Sequence, residues 1–347
     1  TELAGSFLQT FDNTPSLSGM CKAAGIGRAH HHVRAAVAGT SREAIRAQLE
    51  ALANGNEDHI SIYQQNQPGK VVFVFPGQGG QWHGMARSLL QLEPVFHDTI
   101  MACAEIIREG FGWSLMDVIH SKDTAPLENI GVIQPMLFSI QVGLSALWQS
   151  WGIQADAVIG HSMGEVAAAC HAGALSLKDG IKVICTRSQL LASFRGTGSM
   201  LLADLTKEEA TTLIAGTDGK VSIAAINSPQ SMVLSGSPEA IKCLMETLEA
   251  QNRFHQLVKV DIASHHPMME DCRDELLDKL DMIEVGPTQL PFYSTVAGGQ
   301  DHNLVLGPDY WVENLIRTVR FEEASKKLMA DGDRKSTRLN SSHQIIS

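Results

Sequence analysis

Short unbroken apolar runs alternate along the chain with stretches of helical period, the pattern of a parallel α/β protein. Lys70–Phe75 is a continuous apolar run, as in a strand buried on both faces of a sheet. A second such strand is predicted over 155–159 and a third over 291–295. Helical periods occupy 82–90, 95–109 and 135–151, the last stopped by Gly152. Ser176-x-x-Asp179 opens a helix through Leu191, and the Asp309-Tyr310-Trp311 run begins another that contains Asn314. Between them lies a block with its own order. Strands are predicted over 200–203, 221–226, 232–234 and 254–262, the middle pair joined by the turn Asn227-Ser228-Pro229-Gln230. Helices open at the capping box Thr206-x-x-Glu209 and at Ser237-Pro238, where proline takes the first helical position. Strand-helix-strand-strand-helix-strand is the ferredoxin-like arrangement. The expected fold is therefore α/β: a parallel-sheet core over 70–198 and 263–332, with a ferredoxin-like insertion over 199–262. After the insertion a helix is predicted over 269–280.

The ends read differently. Residues 1–27 show no strong period, a strand is predicted over 33–38, and Thr40-Ser41-Arg42-Glu43 reads as a capping box for a helix Arg42–Ala53 ended by Asn54-Gly55. The polar stretch 54–70, with Gly55, Pro68 and Gly69, marks a unit boundary. Residues 333–347 have no apolar period and resemble translated sequencing adapter. They are set aside from the fold, which leaves the natural C-terminus of the unit outside the sequence.

Composition narrows the function. With 347 residues, 44% of them hydrophobic, the chain can bury a sizeable core and form two or three units. A net charge of -11 argues against a nucleic-acid partner and an anionic membrane surface. No apolar run reaches the length of a membrane span, and no signal peptide is visible. The 6 cysteines lack C-x-x-C spacing and several sit in apolar stretches, as free thiols do in a reducing, cytoplasmic compartment. A chain starting at Thr1 reads as a piece of a longer protein. His30-His31-His32 suggests a metal, but adjacent strand residues point to opposite faces and no other ligand stands nearby, so no metal site is expected.

The chemistry centres on Gly160-His161-Ser162-Met163-Gly164-Glu165, between a buried strand and a small-residue helix. That is the setting of a nucleophile elbow, although G-x-S-x-G alone also fits a turn without chemistry. A serine needs a base. His161 diverges from its neighbour, and among 14 histidines His265, in the loop leaving the insertion, is best placed to reach the elbow, with His266 then pointing elsewhere. The loop Pro76-Gly77-Gln78-Gly79-Gly80-Gln81 follows a strand but lacks the Walker lysine and the G-x-G-x-x-G spacing. Presentation of backbone N–H groups to an oxyanion is the better use of it. Arg187 sits in the middle of a largely apolar helix. Burying it calls for an anion: a carboxylate on the acyl group, or a structural partner such as Glu165.

Phe75-Pro76-Gly77-Gln78-Gly79-Gly80-Gln81-Trp82, the elbow, Ile262-Ala263-Ser264-His265 and Tyr310-Trp311-Val312-Glu313-Asn314-Leu315 together resemble the acyltransferase domain of type I polyketide synthases, a family related to malonyl-CoA:acyl carrier protein transacylases. The resemblance covers 70–332, and 1–69 resembles the linker joining a ketosynthase to that domain in one polypeptide. It implies that Ser162 takes an acyl group from coenzyme A and passes it to the phosphopantetheine thiol of an acyl carrier protein, by a ping-pong route with no cofactor held by this domain. It further implies His265 as general base, oriented by the main-chain carbonyl of Asn314. The N–H groups of Gln78 and Met163 would form the oxyanion hole, and Arg187 would bind the carboxylate of malonyl or methylmalonyl. The tetrad Ile262-Ala263-Ser264-His265, where Ile262 and Ser264 bear on selectivity, is closer to the methylmalonyl form Tyr-Ala-Ser-His than to the malonyl form His-Ala-Phe-His. Ser264 leaves room for an α-methyl, and malonyl stays open. The competing expectations are a serine hydrolase or thioesterase, and a non-catalytic docking piece.

Overall fold

The computed structural model describes the backbone of residues 2–338, except 12, 28, 30, 32, 57–60, 65–69 and 302. The chain divides into two compact units, Thr1–Pro68 and Gly69–Ser347.

In the first unit, two helices, Glu2–Phe11 and Leu17–Ile26, lie in the stretch where no period is visible in the sequence. Leu17–Ile26 buries no residue fully and packs only the half-buried Leu17 and Met20 against the small core, too few to mark an apolar stripe. Glu2–Phe11 buries only Ala4 and Phe11, which form a small core with Ile45 and Leu49 of the helix Arg42–Ala53. That helix is capped by Ser41, whose hydroxyl accepts from the N–H of Ala44 at 3.2 Å, rather than by Thr40. The Arg42 guanidinium donates to the carbonyls of Phe11 (2.6 Å) and Thr14 (2.7 Å), which tethers the first helix's end. Val33–Ala36 pairs antiparallel with Ser61–Gln64. His30 and His32 lie outside the described residues.

The second unit is built on a mostly parallel sheet. Ala157–Gly160 lies at its middle, with Lys70–Phe75 on one side, itself followed by Asp333–Arg338 at the edge. Phe292–Ser294 and then the antiparallel Gly299–Gln300 complete it. Phe73 and Phe75 enter the large core on one face, and Val72 packs with Ala157, Ile159 and Leu328 on the other, which is why the strand reads as an unbroken apolar run. The stretch 333–338, set aside on its sequence, does take a place in the fold as an edge strand. Its pairing is made by the main chain, for which an apolar period is not required.

Helix Ile130–Ser150 crosses the large core. It begins at Ile130 rather than at Pro135, because Asn129 caps it by accepting from the N–H of Gly131 at 3.0 Å, and Pro135 sits inside. By length and mean hydropathy (1.6) it could cross a membrane, contrary to the expectation that no run is long enough, and 72% of that window is buried inside the protein. The helix Leu177–Ser193 packs against it, opened by Ser176 as the sequence predicts. The helix expected over 95–109 spans Pro94–Phe111, and a further short helix, Leu115–His120, follows it.

The insertion forms a four-stranded antiparallel sheet in the order Val221–Ser228, Ser231–Gly236, Ser199–Ala203, His255–Leu257, the ferredoxin-like order. Helices Lys207–Ala215 and Pro238–Ala250 pack over it, and Leu201, Leu234, Ile241 and Leu248 form its separate core. The Thr206–Glu209 capping box is complete in both directions. Its last strand ends at Leu257, well short of the predicted Ile262. Val258 N–H still donates to the carbonyl of Met200 (2.9 Å), but Val260 N–H turns back to the carbonyl of Val258 (2.8 Å), so 259–262 leaves the sheet and carries the chain to the site. Beyond it, 269–280 splits into a 3-10 turn, Pro267–Cys272, and the helix Arg273–Leu280.

Candidate active site

Ala157–Gly160 delivers the chain into a turn so tight that two positions must be glycine. A Cβ on Gly160 would lie 2.3 Å from the nitrogen of Glu165, and one on Gly164 would lie 2.0 Å from the carbonyl oxygen of Phe75. Between them Ser162 is held at φ 52, in the left-handed region, at the entrance of the helix Gly164–His171. Such strain, about 1–3 kcal/mol, persists only where the surroundings over-determine it.

Ser162 Oγ lies 2.7 Å from His265 Nε2. His265 is itself at φ 58, so both partners reach the cleft from strained backbone. Its Nδ1–H donates at 2.9 Å to the carbonyl oxygen of Arg317, which puts the proton on Nδ1 and leaves Nε2 to accept from the serine. The orienting carbonyl is thus that of Arg317 and not of Asn314. Asn314 lies inside the helix Pro308–Ile316, whereas Arg317 is its C-cap, where carbonyls lack helical partners. The segment beyond is stitched to the insertion: Val319 N–H donates to Ala224 O, and Ile226 N–H to Val319 O, both at 2.9 Å. Burial, then the charges of Arg187 and His161, push the His265 pKa down to about 3, so the imidazole is neutral across the physiological range.

Arg187 is fully buried on Leu177–Ser193 and faces the same cleft. Its Nη2 stands 3.5 Å from Ser162 Oγ, and its Nη1 donates to Asn314 Oδ1 at 2.8 Å. Burial lowers its pKa to about 10, partly offset by Glu165, and it keeps its charge. Glu165 does not touch it. The Asn314 side chain stands between them, its Nδ2 donating to Glu165 Oε2 at 2.6 Å.

The Gln78 loop closes another side. Among the described residues neither Gln78 N–H nor Met163 N–H has a protein acceptor, and both residues line the cleft. Two buried glutamines on one face of Ile130–Ser150 hold this loop. Gln134 Nε2 donates to Gln78 Oε1 at 3.3 Å, and Gln141 Nε2 to the carbonyl of Pro76 at 2.8 Å. Neither stands out in the sequence, since each is one polar residue in an apolar helix. The cleft holds about 790 Å³ between core and insertion, walled by Met200, Leu202 and Val233 from the latter. Ser264 lines it, but Ile262 does not. Ile262 is buried in the large core, so a direct part in selectivity is removed from it.

A parallel α/β core with a ferredoxin-like insertion, and an elbow serine meeting an imidazole and a buried guanidinium in the cleft between them, define a protein of the acyl-transfer class. Residues 72–338 match the acyl transferase domain family, and the chain belongs to that family, in its polyketide synthase branch. It is 44% identical over 301 residues to polyketide synthase GfsB of Streptomyces halstedii, covering 86% of this chain and 5% of that protein. The chain thus spans a small part of the curated relatives it matches. The acyltransferase domain from module 8 of the salinomycin polyketide synthase superposes with a TM-score of 0.91 at 34% identity, covering 99% of this chain and 82% of that one. A type II polyketide synthase acyl-carrier protein in complex with its malonyl-transacylase gives a chain with TM-score 0.71 at 25% identity, covering 78% of this chain and 89% of that one.

Proposed function

We propose that this transferase loads a malonyl or methylmalonyl unit from coenzyme A onto Ser162 and hands it to the phosphopantetheine thiol of an acyl carrier protein, in a polypeptide that also carries a ketosynthase. The observation that carries the reading is the meeting of Ser162, His265 and Arg187 in one cleft. In the first half-reaction His265 Nε2 takes the Ser162 proton as Oγ attacks the thioester carbon. The N–H groups of Gln78 and Met163 receive the oxyanion. The C–S bond then breaks, and the imidazolium returns its proton to the departing coenzyme A sulfur. The second half-reaction runs the same steps in reverse order: the carrier thiol gives its proton to His265, its sulfur attacks the ester, and Ser162 leaves as a hydroxyl.

Arg187 favours transfer of a carboxylated acyl group over simple hydrolysis of lipids or uncharged thioesters, because a buried guanidinium beside the nucleophile needs an anion there. The half-buried Ser264 at the wall leaves space for an α-methyl and favours methylmalonyl. The carrier-protein complex of the malonyl-transacylase neighbour supports the acceptor. Intact-protein mass spectrometry with malonyl-CoA and methylmalonyl-CoA in competition tests the reading. An acyl adduct on Ser162, discharged by a holo carrier protein, is expected; no adduct from either substrate overturns it.

A further inference from the structure

We propose that Glu165 is a positioning residue: acting through the Asn314 amide, its carboxylate holds the Arg187 guanidinium in the acyl cleft, and so sets the preference for acyl groups that carry a free carboxylate. This rests on the reading of Arg187 as the carboxylate anchor.

Glu165 is fully buried in the first turn of the elbow helix, where the helix dipole favours an anion. Its Oε1 accepts from the N–H of Thr295 and from Thr295 Oγ1 (2.9 Å). Its Oε2 accepts from Tyr310 Oη (2.6 Å) and Asn314 Nδ2 (2.6 Å). Thr295 N–H and Asn314 Nδ2 can only donate, so each oxygen of Glu165 faces an obligate donor. Burial raises its pKa above the ordinary carboxylate value, and the hydrogen bonds from Tyr310, Thr295 and Asn314 offset part of that rise.

Asn314 lies between the Glu165 carboxyl group and a guanidinium that can only donate. That fixes its amide: Nδ2 toward Glu165, Oδ1 toward Arg187 Nη1 at 2.8 Å. Among the described residues this is the one carbonyl-type acceptor that Arg187 has. Its Nε is buried without a partner, and its other contact is the 3.5 Å approach to Ser162. The same Nδ2 donates to the carbonyl of Ser162 at 3.3 Å, so one amide ties nucleophile and guanidinium together. If position 165 carried a neutral amide, its NH₂ could face Asn314. The asparagine would then turn, and donor would meet donor at Arg187.

The test is the ratio of kcat/KM for acylation of Ser162 by malonyl-CoA over acetyl-CoA, from initial rates read by peptide mass spectrometry on the full-length chain. The ratio does not depend on the fraction of protein folded, so a merely structural defect leaves it unmoved. Hydrogen bonds to charged groups correspond to a ratio lowered by about 10- to 100-fold. Glu165→Gln and Asn314→Ala are each expected to lower it by that order. The double variant is expected to lower it no further than Asn314→Ala alone, because the two act in series. Should Glu165→Gln yield no soluble protein, Asn314→Ala decides by the same readout. A ratio unchanged in the soluble variant while Arg187→Ala collapses it overturns this inference alone. A ratio unchanged in Arg187→Ala overturns the anchor reading and the inference with it.

Discussion

His265 Nδ1 lies 2.9 Å from the carbonyl oxygen of Arg317, and that contact decides which nitrogen of the base faces Ser162. A carbonyl cannot give up charge as a carboxylate can, so the imidazole gains orientation from it and little basicity. Buried beside Arg187, His265 falls to about 3. Acylation by malonyl-CoA is therefore expected to show no acid limb near pH 6.5, the ordinary histidine range, and to persist at pH 5. A single-turnover pH profile checks this. Stability carries the same signature. The unfolded chain takes up a proton near 6.5 that the folded site refuses until about 3, so this group's contribution is complete above 6.5 and lost as pH falls toward 3. The loss approaches about 1.4 kcal/mol per pH unit in that window. The drop in melting temperature between pH 7 and pH 5 is expected to be smaller in His265→Ala than in the parent; an equal drop counts against the depressed value.

The two glycines of the elbow give a sharper test of the turn. An added methyl at 164 meets the Phe75 carbonyl at 2.0 Å, and at 160 it meets the Glu165 nitrogen at 2.3 Å; in both cases the obstacle is backbone that cannot swing aside. Gly164→Ala and Gly160→Ala are each expected to lose about 3 kcal/mol or more in urea unfolding. A loss under about 1 kcal/mol would mean that the turn is looser than its geometry.

Gln141 separates activity from stability. It donates to Pro76 O at 2.8 Å, while its own Oε1 is buried without a partner. Gln141→Leu removes the tether of the Gln78 loop together with an unsatisfied oxygen, so the two effects on stability oppose each other. Unfolding free energy is expected to stay within about 1 kcal/mol. The value of kcat is expected to drop by about tenfold, since a displaced oxyanion donor is worth about 10²–10³ when fully removed. Parallel denaturation and steady-state assays decide whether the tether serves the loop.

What was legible in the sequence was legible because it is local. Ser176, Thr206 and Ser237 announce their helices through their own side chains. Gly160 and Gly164 mark a turn no other residue fits. Arg187 could be singled out because a cation in an apolar helix calls for an explanation. What escaped depends on distant partners or on the main chain. The Arg317 carbonyl carries no residue signature. Gln134 and Gln141 become meaningful only once the loop at 76–79 is laid against their helix. Ile262, credited through a motif, turns inward because the chain leaves the sheet just after Val258 and not at the end of the strand predicted over 254–262. Leu17–Ile26, with only Leu17 and Met20 half-buried, has too short a stripe to read.

Selectivity between extender units is open to a single substitution. Ser264 precedes the base and lines the cleft that Met163 also walls. A serine there leaves the volume an α-methyl would fill, while a phenylalanine would occupy it. Filling space is a matter of one methyl group, which an apolar pocket discriminates by only ~1–3 kcal/mol. Ser264→Phe is therefore expected to shift the methylmalonyl-to-malonyl ratio of Ser162 adducts toward malonyl by about 10- to 100-fold. Because both substrates compete for the same enzyme molecules, any disturbance of the neighbouring His265 cancels from the ratio. An unchanged ratio would move the determinant of selectivity away from this wall and toward the insertion side of the cleft, at Met200, Leu202 and Val233.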